Sequence, residues 1–339
     1  MKIGILTFHW ATNYGAVLQA FALQEYLQSL GHNVEIINYK PIGFDFLPRY
    51  LRRPWLMRNL RQDLIGRKKE KKLKSFREKY LKMTKRYFTT KQMTETNFDY
   101  DLVISGSDQV LNPSFTLSGE EKPTSAYFLS AFPQAIRIGY AVSFGCNKYP
   151  KEALKYARKW IENFDKVGVR EQTGFSILEE MGFKGAKQLV PDPTILRGKA
   201  LFKDIKITYQ QQKDYVCAYI LRKHIKIPGE KVVYIDDFNN PLSMEEWLGT
   251  IIGSKYLITN SYHGMIMAIL NHVPFSVLAD SSDMNDRFYT LLNTLGLSNR
   301  IANHPTEVDL NDNNINWELV ENKINTFRIV ASKLLDIYM

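Results

Sequence analysis

Residues 255–279, KYLITNSYHGMIMAILNHVPFSVLA, narrow the possible folds more than any other stretch of the chain. KYLITN is short, apolar and rich in β-formers, long enough for one buried strand. MIMAILNH reads as a short apolar helix, and VPFSVLA as a second strand. Strand, helix and strand in that order belong to an α/β sheet. The joint between the first strand and the helix is Ser261-Tyr262-His263-Gly264. Serine caps helix N-termini, and glycine lets a backbone approach a ligand closely. The start of a helix offers unpaired N–H groups and a positive dipole end to an anion. A histidine there can exchange a proton near neutral pH. Ligands of open α/β sheets bind at the carboxyl ends of the strands. In a plainer reading, Ser261 only caps and His263 only packs.

The rest of the chain extends this pattern. Residues 2–8, KIGILTF, read as a buried strand, followed by the loop HWATNYGA. A helix then carries Val17, Leu18, Phe21, Ala22, Leu27 and Leu30 on its apolar spacing and stops at Gly31. NVEIINY follows as a strand, so the chain opens on a doubly wound unit. The first loop is not G-x-G-x-x-G, which excludes the dinucleotide fingerprint. Further strands end at Gly106-Ser107-Asp108, at Ser143 and Gly145, and at Arg170-Glu171. Asp192, between two prolines, reads as a turn at the edge of a first domain. YVCAYIL and KVVYIDDF are strands of a second domain, with only residues 222–230 between them. That is fewer than a parallel crossover with a helix needs, so either no helix joins them or a segment is missing. Ser243 and Glu246 form a capping box, FYTLLNTLG is a helix stopped by Gly296, and an amphipathic helix closes the chain.

A length of 339 residues fits two domains. Cys146 and Cys217 have no metal-ligand or C-x-x-C spacing and read as buried thiols of a reducing compartment. Without an apolar run long enough to span a bilayer or a leader-like start, the expected location is the cytoplasm. The net charge of +10 is uneven. Residues 49–91 hold 17 Lys or Arg against three acids, a net of +14, while the remainder is −4. This segment reads as mostly helical. With Trp55, Leu56, Met57, Leu60 and Leu64 it suits an anionic membrane surface, or else a packed stripe with a solvated face. No nucleic-acid motif accompanies it.

NYGAVLQAFALQ, ISGSDQVLNP, YAVSFG, VGVREQ, LVPDPTIL, ITNSYHGMIMAI and DRFYTLLNTLGL together resemble the polysaccharide pyruvyl transferases, over nearly the whole chain. The resemblance implies two Rossmann-like domains with parallel sheets in a GT-B-like arrangement across a cleft. The first domain would span residues 1–195, carrying the basic segment 49–91 and a returning helix 316–339. The second would span 196–315. It is shorter than the family pattern by about one helix–strand unit near residues 222–231, and the basic segment matches no family motif. The implied reaction moves the pyruvyl group of phosphoenolpyruvate onto a sugar as a ketal, with no cofactor. The acceptor would be a glycan or a lipid- or nucleotide-linked precursor, met by a cytoplasmic protein that touches the inner membrane face through residues 49–91.

That chemistry needs cationic groups for phosphate and carboxylate, a proton donor and a proton acceptor. His263 suits the acid and Asp108 the base. Arg170, Arg287 and the Ser261, Tyr262, Gly264 turn suit the donor anion, and Asn13, Tyr14 and Gln19 the acceptor hydroxyls. The plainer alternatives are an ion pair for Arg170 with Glu171 and an Asx turn for Asp108. The other histidines, at 9, 32, 224, 272 and 304, read as structural or exposed. Asp280, Asp283 and Asp286 lack a calcium-loop pattern and read as solvated residues or helix caps. A nucleotide-sugar glycosyltransferase and a non-catalytic glycan-binding protein are the competing functions.

Overall fold

The computed structural model describes residues 1–45, 60–208, 214–221, 225–227, 231–235, 241–279 and 285–335. Its first sheet holds β1 (Lys2–Leu6), β2 (Asn33–Ile36), β3 (Leu102–Asp108), β4 (Ile136–Val142), β5 (Lys166–Val169) and β6 (Ala186–Leu189). They run parallel in the order β2-β1-β3-β4-β5-β6. The second sheet holds β7 (Val216–Tyr219), β8 (Val232–Ile235), β9 (Tyr256–Thr259), β10 (Phe275–Leu278) and β11 (Ile301–Ala302). Its order is β11-β10-β9-β7-β8, again parallel throughout. Parallel sheets are covered on both faces, so their strands must be apolar along their length. β9 and β10 are buried at every residue, and the helix between them, Tyr262–Leu270, is buried all round.

Strand order reverses between β1 and β3 in one sheet and between β7 and β9 in the other. A reversal leaves a crevice outside the carboxyl ends of the strands. Here the two crevices face one another: His263, beyond β9, reaches Asp192, which lies beyond β6. Behind them the lobes share packing. The Tyr14 ring stacks on Trp247 at 5.1 Å and 7°, and its hydroxyl donates to Leu242 O at 2.7 Å. The final helix, Trp317–Leu335, lies against the first lobe. Val330 O accepts from Gln188 Nε2 at 2.8 Å, and Arg328 Nε donates to Ile195 O at 2.7 Å.

Three local features go beyond the sequence pattern. β7 and β8 pair in parallel, and none of the described residues between them is helical. β6 is a partly buried edge strand, AKQL, without the apolar run that marks the others. In the basic segment, Leu60–Tyr80 is a helix, but residues 81–89 are not helical and form isolated bridges, Met83 to Ile36 and Tyr87 to Tyr39, before a short helix Thr90–Thr94. The helix is built into the body through Leu73 and Phe76, which are buried, while Leu64 is exposed; Trp55, Leu56 and Met57 lie outside the described residues. Part of its charge is engaged internally. Lys72 pairs with Glu246 at 2.9 Å, Lys69 stands 4.3 Å over the Tyr14 ring, and Arg77 pairs with Glu70. Among the described residues no helix is long and apolar enough to cross a membrane.

Candidate active site

The centre of the crevice is one carboxylate. Asp192 caps the short helix Pro193–Arg197, and its Oδ1 accepts from Thr194 N at 3.0 Å and Thr194 Oγ1 at 2.7 Å. Its Oδ2 accepts from Ser107 Oγ at 3.0 Å and Arg170 Nη1 at 3.4 Å, and His263 Nε2 lies 3.3 Å away. The residue is fully enclosed. Burial alone would raise its pKa, but His263, Arg170 and the Thr194 N–H outweigh burial and hold the carboxyl far below its usual range.

Around this carboxylate stand two arginines. Arg170, 2% exposed, lies 3.7 Å from Asp108 and 3.6 Å from Glu171, with its guanidinium 4.9 Å over the Tyr262 ring. Those ion-pair distances are too long for hydrogen bonds. Among the described residues its Nε and Nη2 accordingly have no hydrogen-bond partner, and neither does Nε of Arg287. Arg287 approaches the same Tyr262 ring, at 5.8 Å. Burial, then repulsion from Arg170, lowers the Arg287 pKa. Burial also raises the pKa of Glu171, although Arg170 opposes the shift. Buried guanidinium N–H groups without acceptors are costly, and an anion between the two arginines would satisfy them. A small recess beside them is lined by Gln109, Ser143, Gly145, Glu171, Asp286 and Arg287.

Both lobes close this site. Asp286 accepts from Thr173 N at 2.9 Å, and Gln172 N donates to Thr290 Oγ1 at 3.2 Å. Gly15, in the first turn of helix Tyr14–Ser29, sits against His263: a Cβ there would stand 2.1 Å from His263 Nδ1. Glycine is required here for close approach of two lobes, not for backbone conformation.

The residues singled out from the sequence divide into three groups. His263, Asp108, Arg170, Tyr262 and Arg287 come together. Asp108 ends β3 with φ 78°, in the left-handed region that Asp tolerates better than most residues, and its Oδ1 accepts from Gln109 N at 2.9 Å. Ser261 and Gly264 are adjacent but engaged. Ser261 Oγ accepts from Gly264 N at 3.2 Å, and Gly264 lies tight against Tyr219 and Thr259, packing on its own sheet. The expected acceptor contacts need correction. Tyr14 is fully buried between the lobes. Gln19, also fully buried, donates to Thr7 Oγ1 and Ala16 O, both at 2.8 Å, and accepts from Ser107 N at 3.1 Å. It fixes the end of β3 and has no face for a sugar. Asn13 is exposed, with its Oδ1 capping Gly15 N at 2.9 Å. Asp192, Ser107 and Gly15 carry site geometry that the sequence reading did not assign. Asp280 and Asp283 lie outside the described residues. Among those described, no three His, Cys, Asp or Glu side chains are grouped so as to hold a metal ion.

Comparison with known proteins fits this geometry. A candidate UDP-N-acetylglucosamine 2-epimerase from Listeria monocytogenes superposes with TM-score 0.54 at 12% identity, covering 99% of this chain and 94% of its own. UDP-GlcNAc 2-epimerase from Neisseria meningitidis, bound to UDP-GlcNAc, gives 0.51 at 11%, covering 100% and 95%. At such identities the likeness concerns fold alone: two α/β lobes in the GT-B arrangement. No curated protein sequence matches the chain. The profile of polysaccharide pyruvyl transferases matches residues 13–282, a span that runs from the cap of the first helix past Asp108, Arg170, Asp192 and His263. With most of its length and Asp108, Arg170, Asp192 and His263 inside that match, the chain belongs to the polysaccharide pyruvyl transferase family.

Proposed function

We propose that the protein transfers the pyruvyl group of phosphoenolpyruvate to two hydroxyls of one sugar, in a glycan or its lipid- or nucleotide-linked precursor, forming a ketal. The observation that carries this reading is the pair Arg170 and Arg287 beside His263 and Asp108, with Nε and Nη2 of Arg170 and Nε of Arg287 buried and without a hydrogen bond among the described residues. Phosphate and carboxylate of the donor would occupy those nitrogens. His263, anchored through Nε2 on Asp192, protonates the enol methylene carbon. A sugar hydroxyl then bonds to the adjacent carbon and gives its proton to Asp108. The carbon–oxygen bond to phosphate breaks, a second hydroxyl closes the ketal, and the remaining proton leaves with phosphate. One proton thus ends on carbon and one on phosphate, which balances the two hydroxyls consumed.

The test pairs calorimetry of phosphoenolpyruvate binding with mass spectrometry of pyruvate transfer. Arg170→Gln should weaken donor binding about 10- to 100-fold, the size of a lost charged hydrogen bond. His263→Gln should keep donor binding and lower transfer by roughly two to four orders of magnitude. A parent protein that binds UDP-sugars but not phosphoenolpyruvate would sink the reading in favour of a glycosyltransferase.

A further inference from the structure

Beside the anion site lies a larger cavity of about 520 Å³, within the range of small-molecule sites. Four aromatic rings surround it in a connected set. Phe8 lies 5.6 Å from Trp10 and 5.2 Å from Phe115, and Phe44 lies 4.8 Å from Trp10 and 5.8 Å from Phe115. Phe44 is 43% exposed, so its ring is open to a ligand in the cavity. Polar groups share the wall, among them Gln109 and Asn112. Aromatic faces interleaved with amides suit a ligand with an apolar face and a polar edge, and a pyranose ring has both.

The cavity shares a wall with the anion site. Gln109 lines both it and the recess that contains Arg287 and Glu171, and it directly follows Asp108 in the chain. Gly145 makes room for this wall: a Cβ there would come within 2.8 Å of both Gln109 and Asn112. We infer that this aromatic cavity is the acceptor subsite, in which a sugar ring of the glycan stacks on Trp10 and Phe44 with its hydroxyl edge turned toward Asp108. The inference rests on the pyruvyl-transfer reading for its choice of ligand. It moves the acceptor from Tyr14 and Gln19, which are enclosed, to rings that are open.

Saturation-transfer NMR with cellobiose, lactose and mannobiose, each with and without phosphoenolpyruvate, tests it. At least one disaccharide should receive saturation at millimolar concentration. Trp10→Ala and Phe44→Ala should weaken that binding about tenfold or more while calorimetry gives the parent affinity for phosphoenolpyruvate. Trp10→Phe, which keeps a ring face, should retain sugar binding. Phe44 is too exposed for its removal to unfold the lobe, so it guards against a folding artefact. The subsite is refuted if no disaccharide binds, if both alanine variants bind sugar as the parent does, or if Phe44→Ala loses phosphoenolpyruvate affinity. Sugar binding that depends on Trp10 and Phe44 in a protein that does not bind phosphoenolpyruvate would keep the subsite and remove the pyruvyl-transfer reading.

Discussion

Replacing Asp192 by asparagine tests the centre of the site with the smallest change of shape. The new amide would still accept from Thr194 through its oxygen. Its nitrogen would replace Oδ2, which now faces Ser107 Oγ at 3.0 Å, Arg170 Nη1 at 3.4 Å and His263 Nε2 at 3.3 Å. The amide N–H would then face the Arg170 N–H, a donor against a donor, and Arg170 would lose one of its three acidic neighbours in a buried setting. Removing one partner of a buried ion pair costs roughly 3–5 kcal/mol, and nothing here is exposed enough to discount that figure. Asp192→Asn should show a clearly lower urea midpoint at pH 7. The pH dependence carries the sharper test. The Asp192 pKa is depressed in the folded state, so its stabilisation is complete above the unfolded value, about 3.9. It is lost as pH falls from there toward the folded value, by up to about 1.4 kcal/mol per pH unit. Asparagine does not titrate. The gap between parent and variant should therefore be constant from pH 7 to about pH 5 and should narrow by about 1 kcal/mol near pH 3. Equal midpoints at pH 7, or a gap unchanged down to pH 3, would refute the account of Asp192 as the charged hub.

Two further predictions concern neighbouring positions. Gly15→Ala would set a methyl 2.1 Å from His263 Nδ1 and push the ring off Asp192, so turnover should fall about 100-fold while the dissociation constant of phosphoenolpyruvate changes little; unchanged turnover removes Gly15 as a positioning residue. His9 is buried between Thr7 O and Asn38, each at 3.1 Å, and burial lowers its pKa to about 4. The unfolded chain binds that proton more readily, so stability present above about pH 6.5 is lost as pH falls toward 4, by roughly 3 kcal/mol. His9→Asn should flatten this part of the stability profile, and an unaltered slope would show that His9 does not set it.

The doubly wound character of both lobes and the strand-end positions of the candidate site residues follow from the order of residues alone. Apolar strands followed by capped helices leave only covered parallel sheets, and polar residues at strand ends, Asp108, Arg170 and His263, then fall at the carboxyl edges. Local chemistry also made Ser243 a capping residue and Gly296 a helix stop, each found as such. The partnerships, in contrast, arise only when the lobes pack. Tyr14 and Gln19 are polar residues beside a strand-end loop, a pattern equally consistent with a ligand contact and with a buried hydrogen bond. Docking of the second lobe enclosed one of them and the end of β3 engaged the other. Asp192 looked like turn punctuation because its flanking prolines explain a cap without further help. Its role depends on Ser107, Arg170 and His263, which lie 22 to 85 residues away in sequence and meet it only when two sheets face each other. The aromatic cavity is hidden in sequence for the same reason: Phe8, Trp10, Phe44 and Phe115 follow no common period, and only folding brings the segment after β1, the turn at Phe44 and the helix Pro113–Ser118 together.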